Sequence, residues 1–414
     1  MSVTLQEYAK ITGDAVIDQL VQLSKTLKGK KVVHVNSTRV GGGVAEILDK
    51  LVPLMNELGI ETSWEVINGD APFYQCTKGF HNALQGDTVE IPDTLLKVYE
   101  STNQENFKRL KPELKDADIV IIHDPQPAPF LSFCPGRKGK WVWRCHIDVS
   151  RPYRPVWKYL RNFVVGYDAS IFSLDVFSQR LPHPQYLISP SIDPLSEKNI
   201  DLPQKEIVAT CHEHKIDMNR PLITQVSRYD RFKDPIGVVH AFQLARKFVP
   251  DLQLVLAGGG ATDDPEGEAV LNEVYAAAGD DKSIHVLLLP SDAHRTINAL
   301  QRASDIVLQK SIKEGFGLTV TEAMWKGKPV IGGNVGGIRL QVHNHHNGFL
   351  VDTPEGAAMR IRYLYFNRDI MAEMGKNAHR FVLENFLITR HLREYLTLMV
   401  GLLHGNQSDR IELG

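Results

Sequence analysis

Short apolar runs, each closed by a glycine or a polar residue, alternate along the chain with longer stretches of helical periodicity. The first run is KKVVHVN at 30–36, followed by Gly41-Gly42-Gly43 and the helical pattern VAEILDKLVPLMNELG, with Gly59 placed to cap its carboxyl end. TSWEVI supplies the next strand, so the segment predicts strand, loop, helix and strand, the unit of a parallel sheet. ADIVIIHDP, WVWRCHID and YDASIFSL predict further buried strands. The pattern lapses over ISPSIDPLSEKNIDLPQ (188–204), rich in proline, serine and aspartate, which reads as an interdomain linker. Alternation then resumes with PLITQVSRYD, the helix PIGVVHAFQLARKF, and DLQLVLAGGG, SIHVLLLP, SDIVLQKS and KPVIGG. A final apolar stripe, FLITRHLREYLTLMVGLL, is predicted to return to the first domain.

This pattern predicts an α/β protein of two doubly wound, Rossmann-like domains facing across a cleft. Residues 1–195 with a terminal helix over about 387–414 form the first, and residues 205–386 the second. A chain of 414 residues is too long for one ordinary core, which agrees. In such sheets ligands sit at the carboxyl ends of the strands. The polar residues that fall there are Asn36, His123-Asp124, His146-Asp148, Arg228, Gly258 to Gly260 and Glu314.

Composition narrows the function classes. With 43% hydrophobic and 23% charged residues and a net charge of −2, nothing points to nucleic acid as a partner. No run approaches the roughly 18 apolar residues of a membrane helix. The N-terminal segment is polar and amphipathic and lacks a signal peptide's apolar stretch. Cys76, Cys134, Cys145 and Cys211 form no C-x-x-C pair and are expected as reduced thiols in a cytoplasmic protein.

Three loops have the chemistry of anion sites. In SRYDRFKDP, Arg228 and Lys233 lie five residues apart after a strand, placed to converge on a diphosphate; two solvated surface charges are the alternative. Gly41-Gly42-Gly43 opens a helix without the G-x-G-x-x-G spacing of a dinucleotide site, and AGGGATDDPEG (257–267) is a weaker case. EGFGLTVTEAMWKGKPVIGG places Glu314 in a glycine loop before a helix and Glu322 eight residues on. Thr319-x-x-Glu322 also fits a capping box, and a glycosidase would need such a pair flanking one glycosidic bond. Three phosphate-like loops favour a phosphorylated ligand, with the carboxylates gripping hydroxyls. HNHHNG (343–348) and CHEH (211–214) lack the spacing of a structural zinc site, and no metal site is expected.

Together these residues resemble the retaining GT-B glycosyltransferases of family 4, marked by a glutamate pair spaced E-x7-E. The stretches VHVNSTRVGGGVAEIL, FHNALQG, HDPQPAP, WRCHID, PSIDPLSEKN and EGFGLTVTEAMWKGKPVIG are similar to its trehalose-forming subgroup. The resemblance implies transfer of glucose from a nucleoside-diphosphate glucose to free glucose with retention, giving α,α-trehalose. It implies catalytic roles for Arg228, Lys233, Glu314 and His146. Arg228 and Lys233 would neutralise the leaving diphosphate, and Glu314 would hold the donor's hydroxyls beside the amides of Gly315, Phe316, Gly317, Leu318 and Thr319. Glu322 would hold the ribose, Gly42 and Gly43 would line the donor, and His146 would lie beside its hydroxymethyl group. Asn36, His81, Asp124, Gln126 and His146 would face the acceptor. No cofactor is required, Mg2+ at most accompanying the nucleotide sugar, and a homodimer is allowed. A phosphorylase using glucose 1-phosphate, a family 4 enzyme with another small acceptor, and a non-catalytic sugar-nucleotide sensor are the alternatives.

Overall fold

The computed structural model describes residues 4–40, 42–259 and 265–404. Gly41, Gly260 and the segment 261–264, part of two of the predicted anion loops, lie outside the described residues. The chain divides into two compact units, Met1–Pro190 with Ile388–Gly414, and Ser191–Leu387.

The first unit holds β1 (Lys31–Asn36), β2 (Glu61–Val66), β3 (Ile119–His123), β4 (Lys140–Arg144), β5 (Ala169–Phe172) and β6 (Gln185–Leu187). All pair in parallel in the order β2-β1-β3-β4-β5-β6. The central strands are rich in valine and isoleucine because helices cover both faces of a parallel sheet. Val33, Val35, Val120, Ile122, Trp141 and Trp143 belong to one buried cluster with Phe73, Phe80 and Tyr99 of the crossing helices. The terminal helix Ile388–His404 belongs to this unit, as its apolar stripe predicts.

The second unit repeats the plan with β7 (Leu222–Val226), β8 (Gln253–Gly258), β9 (Ile284–Leu288), β10 (Ile306–Gln309), β11 (Val330–Gly333) and β12 (Gly348–Val351). Their parallel order is β12-β11-β10-β7-β8-β9. Chain direction therefore reverses between β1 and β3 in the first sheet and between β7 and β10 in the second. A doubly wound sheet leaves a crevice for ligands beyond the strand ends at such a switch point.

The polar segment 188–204 is not a free linker. Arg390 donates to the carbonyls of Ser189 and Pro190 at 3.0 and 2.8 Å. Beyond Pro190 the chain packs into the second unit, where Asn298 Nδ2 donates to the carbonyls of Glu197 and Ile200, both at 2.9 Å. Proline, serine and aspartate there satisfy turns rather than confer slack.

Candidate active site

At the switch point of the second sheet the loops after β7 and β10 are tied together. Asp230 and Asp234 set the first loop: Asp230 accepts the Lys233 amide at 3.1 Å, and Asp234 accepts that of Gly237 at 3.1 Å at the start of the helix Pro235–Arg246. The Ile312 amide donates to the Phe232 carbonyl at 2.9 Å, and the Lys310 ammonium pairs with Asp234. This brings Lys233 Nζ to 2.7 Å from Glu314 Oε2, with side chains only 19% and 10% exposed. Ser311 Oγ lies 3.3 Å from the same carboxylate oxygen. Arg228 differs: it is 75% exposed and held only loosely by Asp230 at 3.4 Å. The two predicted cations are thus unlike, one a partly buried ion-pair partner and the other an exposed guanidinium with a long contact to Asp230.

Glu314 leads into the helix Leu318–Trp325. Gly317 occupies the left-handed region at φ 85° and precedes the helix directly, so Leu318 and Thr319 are its first two residues. The capping-box reading of Thr319 and Glu322 is therefore overturned: Thr319 lies inside the first turn, and its hydroxyl meets Gln309 Oε1 at 3.3 Å. The first amides of this helix have no partner within it, which suits an anion. Glu322 is buried on the second turn, with Lys198 Nζ at 4.0 Å. Lys326, one turn on, donates to Gln301 Oε1 at 2.8 Å, Asn199 Oδ1 at 3.1 Å and the Glu322 carbonyl at 3.1 Å. Burial holds its ammonium well below the ordinary lysine range, against the pull of Glu322. Phe316 packs on Phe386 at a centroid distance of 5.5 Å, which makes it a structural support for the loop.

In the first unit the predicted residues also gather at strand ends. Gly42 (φ 83°) precedes the helix Gly43–Glu57, which follows β1. Asn36 is buried and engaged: its amide donates to the Thr38 carbonyl at 2.8 Å and accepts from Trp64 Nε1 at 2.8 Å, so it shapes the loop. Asp124 follows β3 in the left-handed region (φ 64°), where its Oδ1 accepts the His146 amide at 2.7 Å. Burial pushes the Asp124 carboxyl up to about 6, while the His146 amide and the Arg144 guanidinium pull the other way. Gln126 Oε1 is buried and has no hydrogen-bond partner among the described residues. The helix Ala71–Leu84 bridges these loops: Tyr74 reaches the Ser37 carbonyl at 3.5 Å, and Ala83 accepts the Tyr153 amide at 2.8 Å. His81 is exposed on its last turn.

Of Arg137, Lys138 and Arg144, Lys138 alone is largely exposed, at 73%. Arg144 is fully buried, Arg137 is paired with Asp168 at 2.6 Å, and Lys138 is paired with Asp116 at 2.6 Å. Among the described residues no three histidine, cysteine or acidic side chains are placed to hold one metal ion, and no helix is long and apolar enough to cross a membrane. Sequence reasoning missed Lys198, the Lys310–Asp234 pair and His34. Only His34 carries a local signal, a histidine inside the apolar run VVHV.

Two six-stranded parallel sheets, each with polar loops collected at its switch point, define a GT-B fold. The α,α-trehalose-phosphate synthase (UDP-forming) from Burkholderia xenovorans, solved in complex with glucose-6-phosphate, matches with a TM-score of 0.73. The match covers 90% of this chain and 100% of that one at 14% identity. Residues 34–179 match the family described as trehalose synthase, N-terminal domain, and residues 210–381 match glycosyl transferases group 1. The trehalose synthase of Thermococcus litoralis is 45% identical over 399 residues, 95% of this chain and 96% of that protein. The chain belongs to the trehalose synthase family of glycosyltransferases. A trehalose phosphorylase of Pleurotus pulmonarius is 28% identical over 97% of this chain but only 61% of its own length.

Proposed function

We propose that the protein is a retaining hexosyltransferase that moves glucose from a nucleoside-diphosphate glucose to free glucose, forming α,α-trehalose. The observation that carries this reading is the anchored pair Lys233–Glu314 at 2.7 Å, set beside a helix N-terminus at the second sheet's switch point. A cation, a carboxylate and the opening amides of a helix in one loop cluster suit a sugar diphosphate, whose phosphate oxygens need donors and whose hydroxyls need acceptors. Lys233 and Arg228 would take the diphosphate charge, Glu314 the sugar hydroxyls and Glu322 the ribose. Asp124 and His146 would serve the sugars in the first unit.

The bond from the anomeric carbon to the diphosphate oxygen breaks, and one to the acceptor's anomeric oxygen forms on the same face. The acceptor's proton passes to the departing phosphate oxygen. No side chain is assigned as covalent nucleophile. Fixed cations answer the charge on the leaving group without reorganising, so they act most strongly in the transition state. No resident metal is required in this scheme, Mg2+ entering at most with the nucleotide sugar.

The test supplies glucose with ADP-, GDP- or UDP-glucose, and in parallel glucose 6-phosphate as acceptor and glucose 1-phosphate as donor, with products resolved by NMR. The expected product is non-reducing α,α-trehalose from a nucleotide donor and free glucose. Glucose 6-phosphate should be a poor acceptor, because Arg144 is buried and Arg137 and Lys138 precede β4, at the end of the sheet opposite the ligand crevice. A reducing product, a preference for the phosphorylated acceptor, or turnover from glucose 1-phosphate alone overturns the reading.

A pH dependence follows from Asp124. With its carboxyl raised to about 6, a role that needs the anion requires activity to climb as pH rises through that value. Stability should move oppositely. The folded state holds the proton more tightly than the unfolded chain, whose carboxyl titrates near about 4. The stabilising contribution is therefore present below that pH and lost as pH rises through about 6. Asp124→Asn should flatten the acid limb of kcat/KM and raise Tm relative to the parent at neutral pH. A parent profile flat between these values sinks the assignment.

A further inference from the structure

Three imidazoles form a continuous chain on one face of the first sheet. His34 lies in β1, His123 ends β3 and His146 follows β4 by two residues. In the sheet register His34 is opposite Ile121 and His123 opposite Arg144, so each ring stands on the same face, two residues further along than the last. His34 Nδ1 is 3.0 Å from His123 Nε2, and His123 Nδ1 is 3.1 Å from His146 Nε2. Successive rings stack with centroids 5.3 and 5.4 Å apart. Burial keeps all three neutral: His34 is lowered to about 3, and His123 and His146 lie well below the ordinary range, with the Arg144 guanidinium adding to the effect at both.

A neutral imidazole has one N–H and one bare nitrogen, so the chain has only two self-consistent proton arrangements. In one, His34 Nδ1–H donates to His123 and His123 Nδ1–H donates to His146 Nε2, which places the His146 proton on Nδ1. In the other every bond reverses, and the proton of His34 falls on Nε2. That nitrogen is buried and has no hydrogen-bond partner among the described residues, and the ring packs against Tyr395 at 6.0 Å. An orphaned buried N–H is rarer in folded proteins than an under-satisfied acceptor. The first arrangement therefore wins. We propose that His34 and His123 are positioning residues that lock His146 as the Nδ1–H tautomer, so that it offers the sugar a hydrogen-bond donor. Among the described residues His146 Nδ1 has no hydrogen bond of its own, and the residue is only half-buried. The sugar-facing part of the proposal rests on the functional reading above; the tautomer lock does not.

The experiment is long-range proton–nitrogen NMR on the full chain labelled with 15N-histidine, the His146 signals being assigned by their loss in His146→Asn. The parent should show a protonated Nδ1 and a bare Nε2 at His146. His34→Val removes the donor at the head of the chain and should give averaged nitrogen shifts at His146, with kcat lower by about 10-fold, the worth of one oriented hydrogen bond. His34→Asn sets an amide where Nδ1 stood and should restore both the tautomer and the rate. A protonated Nε2 in the parent, or an unmoved His146 pattern in His34→Val, overturns the proposal. Should His34→Val fail to fold, the parent spectrum alone decides. If the Nδ1–H tautomer is found but glucose and ADP-, GDP- and UDP-glucose in turn all leave its shifts unmoved, the lock stands and the functional reading falls.

Discussion

Lys233→Ala is expected to lower kcat by about 10²–10³-fold while leaving the KM for glucose nearly unchanged, the loss seen when a preorganised charge partner is removed. Leaving-group charge is greatest in the transition state, so a cation aimed at the diphosphate is felt in kcat rather than in acceptor binding. The structure adds a second consequence. Lys233 is the partner of Glu314 at 2.7 Å, and the carboxylate is only 10% exposed. Removing the lysine leaves that carboxylate without its cation and with the Ser311 hydroxyl at 3.3 Å, at a cost of about 1–3 kcal/mol in stability. Lys233→Ala combined with Glu314→Gln should recover the stability and not the rate, which separates the two effects. Arg228 supplies the control from the other side. At 75% exposure, with a single loose contact to Asp230, its replacement by alanine should leave Tm unchanged. Its kcat loss, expected in the same range as that of Lys233, is then chemistry alone. Near-parental turnover in both variants would place the diphosphate elsewhere.

How far the sequence discloses this site depends on where each interaction lies along the chain. The long valine- and isoleucine-rich strands are legible because a parallel sheet buries both faces and leaves a continuous apolar run. β6 escapes because Gln185–Leu187 is a three-residue edge strand that is largely exposed and has no such run. Strand order is a tertiary property that no local window carries. Lys233 and Glu314 are each recognisable as polar residues beyond a strand, yet they are 81 residues apart and meet only because β7 and β10 are neighbours. The capping-box pattern at Thr319 fits locally but is not formed, because Gly317, in the left-handed region, starts the helix two residues earlier. His34 is the instructive miss. A histidine in a strand buried on both faces has to find a partner, and the demand for one is the trace of the imidazole chain.

Gly336→Ala is expected to be the most damaging conservative change, although the residue touches no substrate in the proposed scheme. The turn after β11, GGNVGG, lies against the loop that carries Glu314: the Gly337 amide donates to the Gly315 carbonyl at 2.8 Å, and Gln341 Nε2 donates to that of Phe316 at 2.7 Å. Gly336 has φ 47°, and a Cβ there would stand 1.7 Å from the Glu314 carbonyl oxygen and 2.8 Å from its carbon. These are backbone atoms, so no rotamer change relieves the overlap and the Glu314 loop has to move. Left-handed strain adds about 1 kcal/mol, and overpacking against a fixed backbone about 1–3 kcal/mol more. A shift of about 1 Å in a residue that grips the substrate costs about 10²-fold in rate. Gly279→Ala isolates the first of these terms. Gly279 has a similar φ of 57° but nothing within 4 Å of the added carbon, so alanine there should cost about 1 kcal/mol and leave kcat alone. Denaturant midpoints and kcat measured side by side decide the matter. Should Gly336→Ala behave like Gly279→Ala in both, the glycine turn does not hold Glu314 in place.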